Sequence, residues 1–327
     1  MDHGRALFRL RAPNCGTVIM MNRQRGVALL TVMMVLATAV ALASLMESEN
    51  VTAMRRSEAW LIAETQLLYA RSAENWGSAL LLADLLDNNN DHLGEPWAIK
   101  TTSPITPGIG VEGKMQDLQG RFNINNLQAI SPKAEDTAYA EVFTRLLEEL
   151  ELPVTLIPAI LDWLDHDSEA RIPFGAEDDY YLSLDPPYRS ANRLMTHISE
   201  LRLVAGIDSG TFDKIRPYIS ALPTTTPINV NTAPALILQS LHKEITLELA
   251  EQLITSRQNE PFAKVEDFLR LDPLAGISIP KVLLSVDSRY FLLDARVRIG
   301  DRTQHYHSHL VRFSDRIERL MWSQVPD

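Results

Sequence analysis

Hydrophobic residues are concentrated near the start of this 327-residue chain, in a stretch that begins after Arg25 and extends to Met46. No charged side chain occurs between Arg25 and Glu47. About twenty residues of α-helix cross roughly 30 Å of hydrocarbon. The pattern therefore predicts a helix over residues 27–46 that is long enough to span a membrane.

The helical spacing of apolar positions continues beyond this stretch. Met54, Leu61 and Leu68 recur at seven-residue intervals, and the pattern persists to about Leu86. The polar run Asp87–Asp91 then interrupts it. The sequence thus predicts one long helix with an apolar first half and an amphipathic second half.

Strand-like patterns lie on both sides of a helical block. Residues 111–115 and 121–124 are predicted as short strands, and apolar and charged residues alternate over 291–299. Gly300 and Asp301 turn the chain into a returning strand over 303–313. The intervening pattern, from about 130 to 285, is helical, with candidate helices at Glu141–Leu150, Val154–Leu164, Ile198–Val204 and Ala233–Leu241. This order predicts an α+β fold in which a helical block is inserted into a small antiparallel sheet.

Charge before the apolar stretch indicates its orientation. Residues 1–26 hold five arginines and one acid, Asp2, so the N-terminus is expected to stay cytoplasmic while the remainder is exported. Removing this segment would change the net charge from −11 to about −15 and would remove Cys15, the only cysteine. A discarded secretory signal, with a weak cleavage motif at 41–44, and a permanent anchor both fit these charges.

A third interpretation comes from Gly26, which resembles the last leader residue of type IV prepilins. In that family a membrane peptidase cuts after the glycine, here before Val27, and the apolar helix stays on the mature protein. Family members usually carry glutamate at the fifth mature position, where it is thought to neutralise a neighbouring subunit's N-terminal amine. That position is Thr31 here. Because a subunit with no neighbour ahead needs no such glutamate, Thr31 indicates the first subunit of a fibre.

Four further segments extend the resemblance over nearly the whole chain from Arg25. They are DLQGRFNINNL at 117–127, the acidic block at 162–192, ELRLVAGID at 200–208 and PINVNTAP at 227–234. Together they are similar to the K-type minor pseudopilins of the type II secretion system. The resemblance implies a prepilin leader over 1–26, a transmembrane segment over 27–46, a pilin-like core over 47–128 and 286–327, and an inserted helical domain over 129–285.

The same resemblance implies a structural protein and not an enzyme. It would be anchored in the bacterial inner membrane with a periplasmic domain, cut by prepilin peptidase, and assembled with I-type and J-type minor pseudopilins at the pseudopilus tip. The alternative is a DNA-handling minor pilin of a type IV pilus or competence system. Net negative charge opposes nucleic-acid binding. In a segment similar to a helix-hairpin-helix module, Asp208 also puts a carboxylate where phosphate would bind.

The acidic loop over 162–185 is the candidate metal site. It contains eight acids and one basic residue, Arg171. Asp165, Asp167, Glu177 and Asp178 offer the hard oxygen ligands that Ca²⁺ prefers, and the resemblance implies calcium in this region. A solvated acidic loop without a metal is the alternative.

Three histidines, His305, His307 and His309, alternate along one predicted strand and therefore share a face. Either a zinc site or an ordinary exposed strand face fits this spacing. The pattern alone favours the ordinary strand face.

Overall fold

The computed structural model describes residues 19–129 and 134–325. The chain divides into two compact units between Thr65 and Gln66. Helix α1 runs continuously from Ile19 to Asp87, which confirms the predicted long helix and its end at the polar run. The proposed leader lies largely outside the described residues, because the description begins at Ile19.

The first unit is the N-terminal part of α1. Every side chain from Gly26 to Glu58 is exposed. By length and composition α1 is able to cross a membrane, with a window of mean hydropathy 2.4 that is not buried at all. Apolar surface of this extent requires cover by lipid or by other proteins.

The second unit contains all the strands among the described residues. They are β1 (Thr101–Thr106), β2 (Ile109–Asp117), β3 (Phe122–Asn123), β4 (Ile219–Ser220), β5 (Ile228–Asn229), β6 (Leu284–Ser285), β7 (Tyr290–Ile299), β8 (Arg302–Arg312) and β9 (Ile317–Val325). Five of them form an antiparallel sheet in the order β1-β2-β7-β8-β9. The predicted turn between β7 and β8 is confirmed, and Gly300 adopts the left-handed backbone there with φ 57°.

One face of this sheet packs against the part of α1 that belongs to the second unit. Leu81 of α1 is fully buried in a cluster with Trp97 and with Phe291, Leu293 and Val297 of β7. The alternation predicted for residues 291–299 places these apolar side chains inward. A helix on an antiparallel sheet, with the helical block inserted between β2 and β7, is an α+β fold as expected.

The inserted block is mostly helical. Its helices are α2 (Ala134–Glu149), α3 (Leu156–Leu164), α4 (Asp178–Tyr181), α5 (Ser209–Ile215), α6 (Ala235–Ser240), α7 (Leu247–Asn259) and α8 (Val265–Leu269). The block has its own large core, in which Phe122 and Phe143 stack with ring centroids 5.2 Å apart.

Several details of the secondary structure differ from the predictions. The strand predicted over 121–124 is only β3, which pairs in parallel with β4 inside the block and does not join the main sheet. Residues Ile198–Leu203 form a 3₁₀ helix instead of an α-helix. The two edge strands, β1 and β9, were not predicted, and β9 shows no regular alternation of buried and exposed residues.

A buried carboxylate, Asp117, connects the sheet to the block at the end of β2. Its Oδ2 atom accepts hydrogen bonds from Ser288 Oγ at 2.7 Å, Thr232 Oγ1 at 2.5 Å and Asn229 Nδ2 at 3.0 Å. Its Oδ1 atom accepts one from the backbone nitrogen of Gln119 at 2.7 Å. Burial raises the pKa of Asp117, and these hydrogen bonds oppose that rise. A carboxylate so fully satisfied fixes the two ends of the insertion side by side.

A second buried network surrounds Arg312, near the end of β8. Its guanidinium donates to Asp84 Oδ2 at 2.9 Å, to Asp91 Oδ2 and to the carbonyl oxygen of Ser288 at 2.7 Å. The side chains of Arg312, Asp84 and Asp91 are 7%, 7% and 1% exposed. This arginine therefore joins the end of α1, the following loop and the sheet through largely buried charged groups.

Candidate metal centre

The acidic loop begins in the last turn of α3. Asp162 is fully buried there and pairs with Arg171, whose Nη1 donates to Asp162 Oδ1 at 2.6 Å. Asp165 follows with extended backbone and its amide nitrogen caps the helix by donating to the Leu161 carbonyl at 3.0 Å. The helix end thus directs the chain outward, and the loop returns at Glu177, directly before α4.

Three of the four predicted ligands converge. Asp165, Asp167 and Glu177 each contribute a carboxylate oxygen, and the three oxygens lie within 4.8 Å of one another. Glu177 is only 5% exposed, yet neither of its carboxylate oxygens has a hydrogen-bond partner, and Asp165 Oδ1 also lacks one. Buried carboxylate oxygens normally have partners, so this arrangement suits a hard cation.

The electrostatics of the loop agree with this geometry. Burial raises the pKa of Glu177 to about 7, and the charges of Asp162, Asp165, Asp167 and Asp178 add to the rise. Like charges disfavour ionisation of a carboxyl group. A bound divalent cation would remove this repulsion and stabilise the ionised form.

The fourth predicted ligand, Asp178, is placed differently. Its two oxygens accept hydrogen bonds from Arg189 Nη1 at 2.9 Å and from the backbone nitrogen of Ser190 at 3.0 Å. Asp178 therefore holds the returning segment in position beside the cluster and does not belong to the converging group.

Two polar residues of that returning segment were not predicted as ligands. Ser190 Oγ and Asn192 Oδ1 are both buried without a hydrogen-bond partner. Asn192 lies next to the cluster, because its Nδ2 donates to the carbonyl oxygen of Asp167 at 2.9 Å. It has φ 47°, a conformation that asparagine tolerates better than most residues. Neutral oxygens of this kind commonly complete the six to eight ligands of Ca²⁺.

Aromatic side chains form the apolar base of the loop. Trp163 of α3 contacts Tyr181 edge-on with ring centroids 5.3 Å apart, and Tyr181 stacks on Tyr188 at the same distance. Tyr181 is fully buried. The loop is therefore anchored at α3, at α4 and at Tyr188, and its carboxylates lie between these points.

Gly175 provides a test of how tightly the loop is packed. A Cβ atom at this position would collide with Asp162 Oδ2 and with backbone atoms of Arg171, including its carbonyl oxygen at 2.6 Å. We expect Gly175→Ala to lower the free energy of unfolding by about 1–3 kcal/mol, the usual cost of overpacking. Denaturant unfolding of the two proteins measures the difference.

Gly113→Ala is the matched control, because a Cβ atom there would meet only Leu293 Cδ1 at an ordinary 3.8 Å. Its unfolding free energy should stay close to that of the unmodified protein. Equal stabilities for Gly175→Ala and Gly113→Ala would show that the loop relaxes freely around position 175.

The predicted cleavage residues lie far along the chain from this loop. Gly26 and Val27 are exposed in α1, and a Cβ atom at Gly26 would meet nothing within 4 Å. Fold packing therefore gives no reason for glycine at this position.

Comparisons with known proteins agree on one family. Two family models described as "Type II secretion system (T2SS), protein K" match residues 120–224 and 228–287. Type II secretion system protein K of Pseudomonas aeruginosa is 33% identical over 313 residues, which cover 91% of this chain and 92% of the relative. The protein K of Pectobacterium carotovorum is 33% identical over 306 residues, with coverage of 88% and 93%.

A solved structure shows the same fold. It is the crystal structure of the GspK-GspI-GspJ complex from the type 2 secretion system of enterotoxigenic Escherichia coli, matched with a TM-score of 0.75 and 26% identity. The match covers 83% of this chain and 100% of the matched chain. Sequence identity over most of the chain and the common fold show that this chain belongs to the protein K family of the type II secretion system, whose members are minor pseudopilins.

Proposed function

We propose that this chain is the tip subunit of the pseudopilus, where it initiates or caps assembly for the export of folded proteins across the outer membrane. The observation that carries the proposal is Thr31. Its Oγ1 atom donates to the carbonyl oxygen of Ala28 at 2.9 Å, within its own helix. The side chain is thus satisfied locally and has no charge to offer to the amine of a subunit ahead of it.

The proposed partners are I-type and J-type minor pseudopilins. In the related crystal structure, GspK forms a complex with GspI and GspJ. In this chain, Met54, Trp60 and Leu61 are exposed apolar side chains on the first unit of α1, at 73%, 62% and 58% exposure. Partner helices that pack on this surface would bury it.

The proposed route of this chain to the pseudopilus tip begins in the inner membrane. The arginines of residues 1–26 would hold the N-terminus in the cytoplasm, the helix over 27–46 would cross the bilayer, and the second unit would fold in the periplasm. Cleavage by prepilin peptidase between Gly26 and Val27 would remove the arginines and leave an apolar segment without charged side chains, able to enter the fibre.

A DNA-handling role has less support. Asp208 caps α5, where its side chain accepts a hydrogen bond from the backbone nitrogen of Thr211 at 2.7 Å. A carboxylate thus occupies the position that a phosphate would need, on a chain of net charge −11. Both features oppose binding of a polyanion.

Co-purification with the two partners tests the proposed assembly. Full-length protein extracted in mild detergent should co-purify with co-expressed I-type and J-type pseudopilins, and Leu61→Glu should weaken that association. Ala63→Glu is the matched control, because residue 63 lies on the opposite side of the helix from residue 61. The proposed contact surface would be wrong if Leu61→Glu still co-purified with both partners, or if the two variants lost their partners to the same extent.

The acidic loop is proposed to hold Ca²⁺ as a structural staple. Asp165, Asp167 and Glu177 would be the carboxylate ligands, and the unpartnered oxygens of Asn192 and Ser190 are the candidates for neutral ligands. A mature chain without cysteine has no disulfide to hold such a loop. The ion would bind the folded state and not the unfolded chain, which raises stability by mass action.

Removal of calcium should therefore lower the melting temperature. At a hundredfold excess of Ca²⁺ over the dissociation constant the gain is about 2.7 kcal/mol, or roughly 5–10 °C for a domain of this size. Asp165→Ala should abolish the difference between calcium and chelator. Glu169→Ala, an exposed acid of the same loop, should leave the difference intact. Identical melting curves with and without chelator would favour a solvated acidic loop.

The effect of pH on that difference has a definite sign. The pKa of Glu177 rises from an ordinary 4.5 to about 7 in the folded protein. The stabilisation that the protonated Glu177 gives to the folded state is therefore fully present below pH 4.5 and is lost as the pH rises through about 7. In chelator, stability should fall between pH 5 and pH 8. The calcium-induced rise in melting temperature should grow over the same interval, because Ca²⁺ binds the ionised carboxylates.

Thr31→Glu tests the tip position. At the tip, the new carboxylate would have no amine to neutralise it and would carry part of the cost of a buried charge, which is about 2.5–3.5 kcal/mol at a bilayer centre and less near the interface. Because residue 31 is only about one turn into the span, we expect export of folded proteins to be unchanged or mildly reduced. A clear gain in export, or recovery of the protein along the whole fibre, would contradict the proposal.

A further inference from the structure

A groove of about 600 Å³ between the five-stranded sheet and the helical block is rich in basic side chains. The sheet contributes the face that points away from Leu293, where His307 and His309 of β8 line the groove. The block contributes Arg202 and Arg216. The basic residues that line the groove are Arg121, Arg202, Arg216, His197, His307 and His309. Such a concentration of basic groups contrasts with the net charge of −11 of the whole chain.

Acidic partners for the arginines are scarce in this groove. Asp294 is the only acid among the described residues that line it, and it faces His305 and His307, whose nitrogens each lie 3.7 Å from its Oδ1 atom. Arg202 and Arg216 are exposed, and neither has an ion pair in the part of the chain that the structure describes. Their guanidinium groups are therefore available to the carboxylates of a ligand.

The basic groups of the groove also repel one another. Burial, together with the charges of His197, His307 and Arg121, lowers the pKa of His309 to about 4. Burial lowers the pKa of Arg121 as well, and the charge of Arg216 adds to that fall while Asp117 opposes it. A bound anion would relieve this repulsion, because an opposite charge favours the charged form of a base.

A buried hydroxyl group in the lining lacks a partner. Ser220 of β4 lines the groove and is only 2% exposed, and its Oγ atom has no hydrogen-bond partner among the described residues. Buried polar atoms normally have partners. A carboxylate oxygen in the groove would be a suitable acceptor for this hydroxyl.

The size and the remaining lining of the groove favour an extended peptide over a single small anion. Apolar side chains, among them Leu118, Phe212 and Leu292, lie between the basic groups. Ser323 and Val325 of β9 also line the groove, and β9 is the last strand of the sheet. An edge strand can pair through its backbone with an added extended segment. Acidic and apolar side chains that alternate along such a segment would match the mixed lining.

We propose that this groove binds an extended acidic segment of a partner protein, with Arg202 and Arg216 pairing with its carboxylates. Arg121 and Ser220 supply further donors, and Phe212 and Leu292 contact the apolar side chains of the segment. The binding site is separate from the acidic loop, and it depends neither on calcium nor on the position of this chain in the pseudopilus.

Fluorescence anisotropy with the full-length protein in detergent tests the proposal. The probe is a short labelled peptide in which glutamate alternates with valine, and a second peptide has glutamine in place of each glutamate. We expect the acidic peptide to bind about tenfold or more tightly than the glutamine peptide, because hydrogen bonds between guanidinium and carboxylate groups are charge-assisted. The double variant Arg202→Gln and Arg216→Gln should remove most of this preference.

The matched control is the double variant Lys243→Gln and Arg270→Gln. It removes the same charge from two exposed positions outside the groove, so it should keep the affinity for the acidic peptide. All four substituted residues are exposed, and the melting temperatures of both double variants should therefore stay close to that of the unmodified protein. A photo-crosslinking form of the peptide should label residues within 197–221 or 305–325.

Three results would overturn the proposal. The first is equal affinity of the two double variants for the acidic peptide. The second is displacement of the probe by inorganic phosphate as effectively as by unlabelled peptide at constant ionic strength, which would indicate a site for small anions. The third is tighter binding of single-stranded DNA than of the acidic peptide, which would indicate a site for nucleic acid.

Discussion

Gly26→Val is expected to leave the leader attached and to abolish export. Glycine leaves room in a peptidase site that a branched side chain would fill, and no packing contact in the fold explains glycine at this position. The uncleaved chain would keep five arginines directly before the apolar helix. Arginine in an apolar surrounding costs several kcal/mol, so the helix could not enter an apolar fibre core. N-terminal sequencing and intact mass of the purified protein measure the cleavage.

Gly16→Val is the matched control, since it changes another glycine of the same leader. Its chain should be cut normally and begin at Val27. If the unmodified protein instead begins near Ser44, a signal peptidase has cut it, and the pseudopilin processing proposed above is wrong. A chain that begins at Val27 in the Gly26→Val variant would also contradict the prediction.

The second large effect is expected at Arg312. Its replacement by methionine keeps much of the side-chain volume but leaves Asp84 and Asp91 buried without their cation. Breaking a buried ion pair by removing one partner typically costs about 3–5 kcal/mol. Denaturant unfolding of the full-length protein in detergent should show a loss in this range.

The loss should depend on pH in a definite direction. Burial raises the pKa of Asp84 and of Asp91, and Arg312 counteracts that rise. Without the arginine the pKa values of both aspartates should rise further. A carboxyl group whose pKa is raised in the folded state destabilises the fold as the pH increases. The deficit of Arg312→Met should therefore be larger at pH 8 than at pH 5.

Two variants show whether burial of the charge is the cause. Arg316→Met removes an exposed arginine that pairs with Asp315 and Glu318, and should change stability far less than Arg312→Met does, because exposed ion pairs contribute little. Adding Asp84→Asn and Asp91→Asn to Arg312→Met should recover part of the loss, because the uncompensated charges are then absent. An equal loss in Arg316→Met and Arg312→Met would exclude the buried network as the reason.

The longest elements of the fold could be predicted from sequence. The long helix α1 has an uninterrupted apolar stretch followed by helical spacing, and β7 alternates between buried and exposed residues before it turns into β8; all three elements are present. Short elements could not be located equally well. Strand β3 contains only Phe122 and Asn123, and a two-residue strand has no period to detect.

The candidate sites likewise contain parts that the sequence predicts and parts that depend on contacts formed only in the folded chain. The acidic loop was recognisable because carboxylates at this density need a cation or solvent, and Asp165, Asp167 and Glu177 do converge. The position of Asp178 depends on Arg189 and on the backbone of Ser190, contacts that only the folded loop creates. Likewise, the three histidines were visible in the sequence, but the position of Asp294 opposite His307 depends on the register between β7 and β8.

The bond between Asp117 and Ser288 joins residues 171 positions apart, and this separation determines the order in which the protein can fold. The entropy lost on closing a free chain increases with its length, so β2 and β7 are not expected to pair until the helical block between them has become compact. Strands β1 and β2 alone form a two-stranded ribbon, which is marginal in water. During synthesis, the inward face of α1 around Leu81 therefore stays partly uncovered until the last strands, β7 to β9, are available. A chain interrupted shortly before residue 290 would present a finished helical block beside an uncovered helix, a form that chaperones and proteases would encounter first.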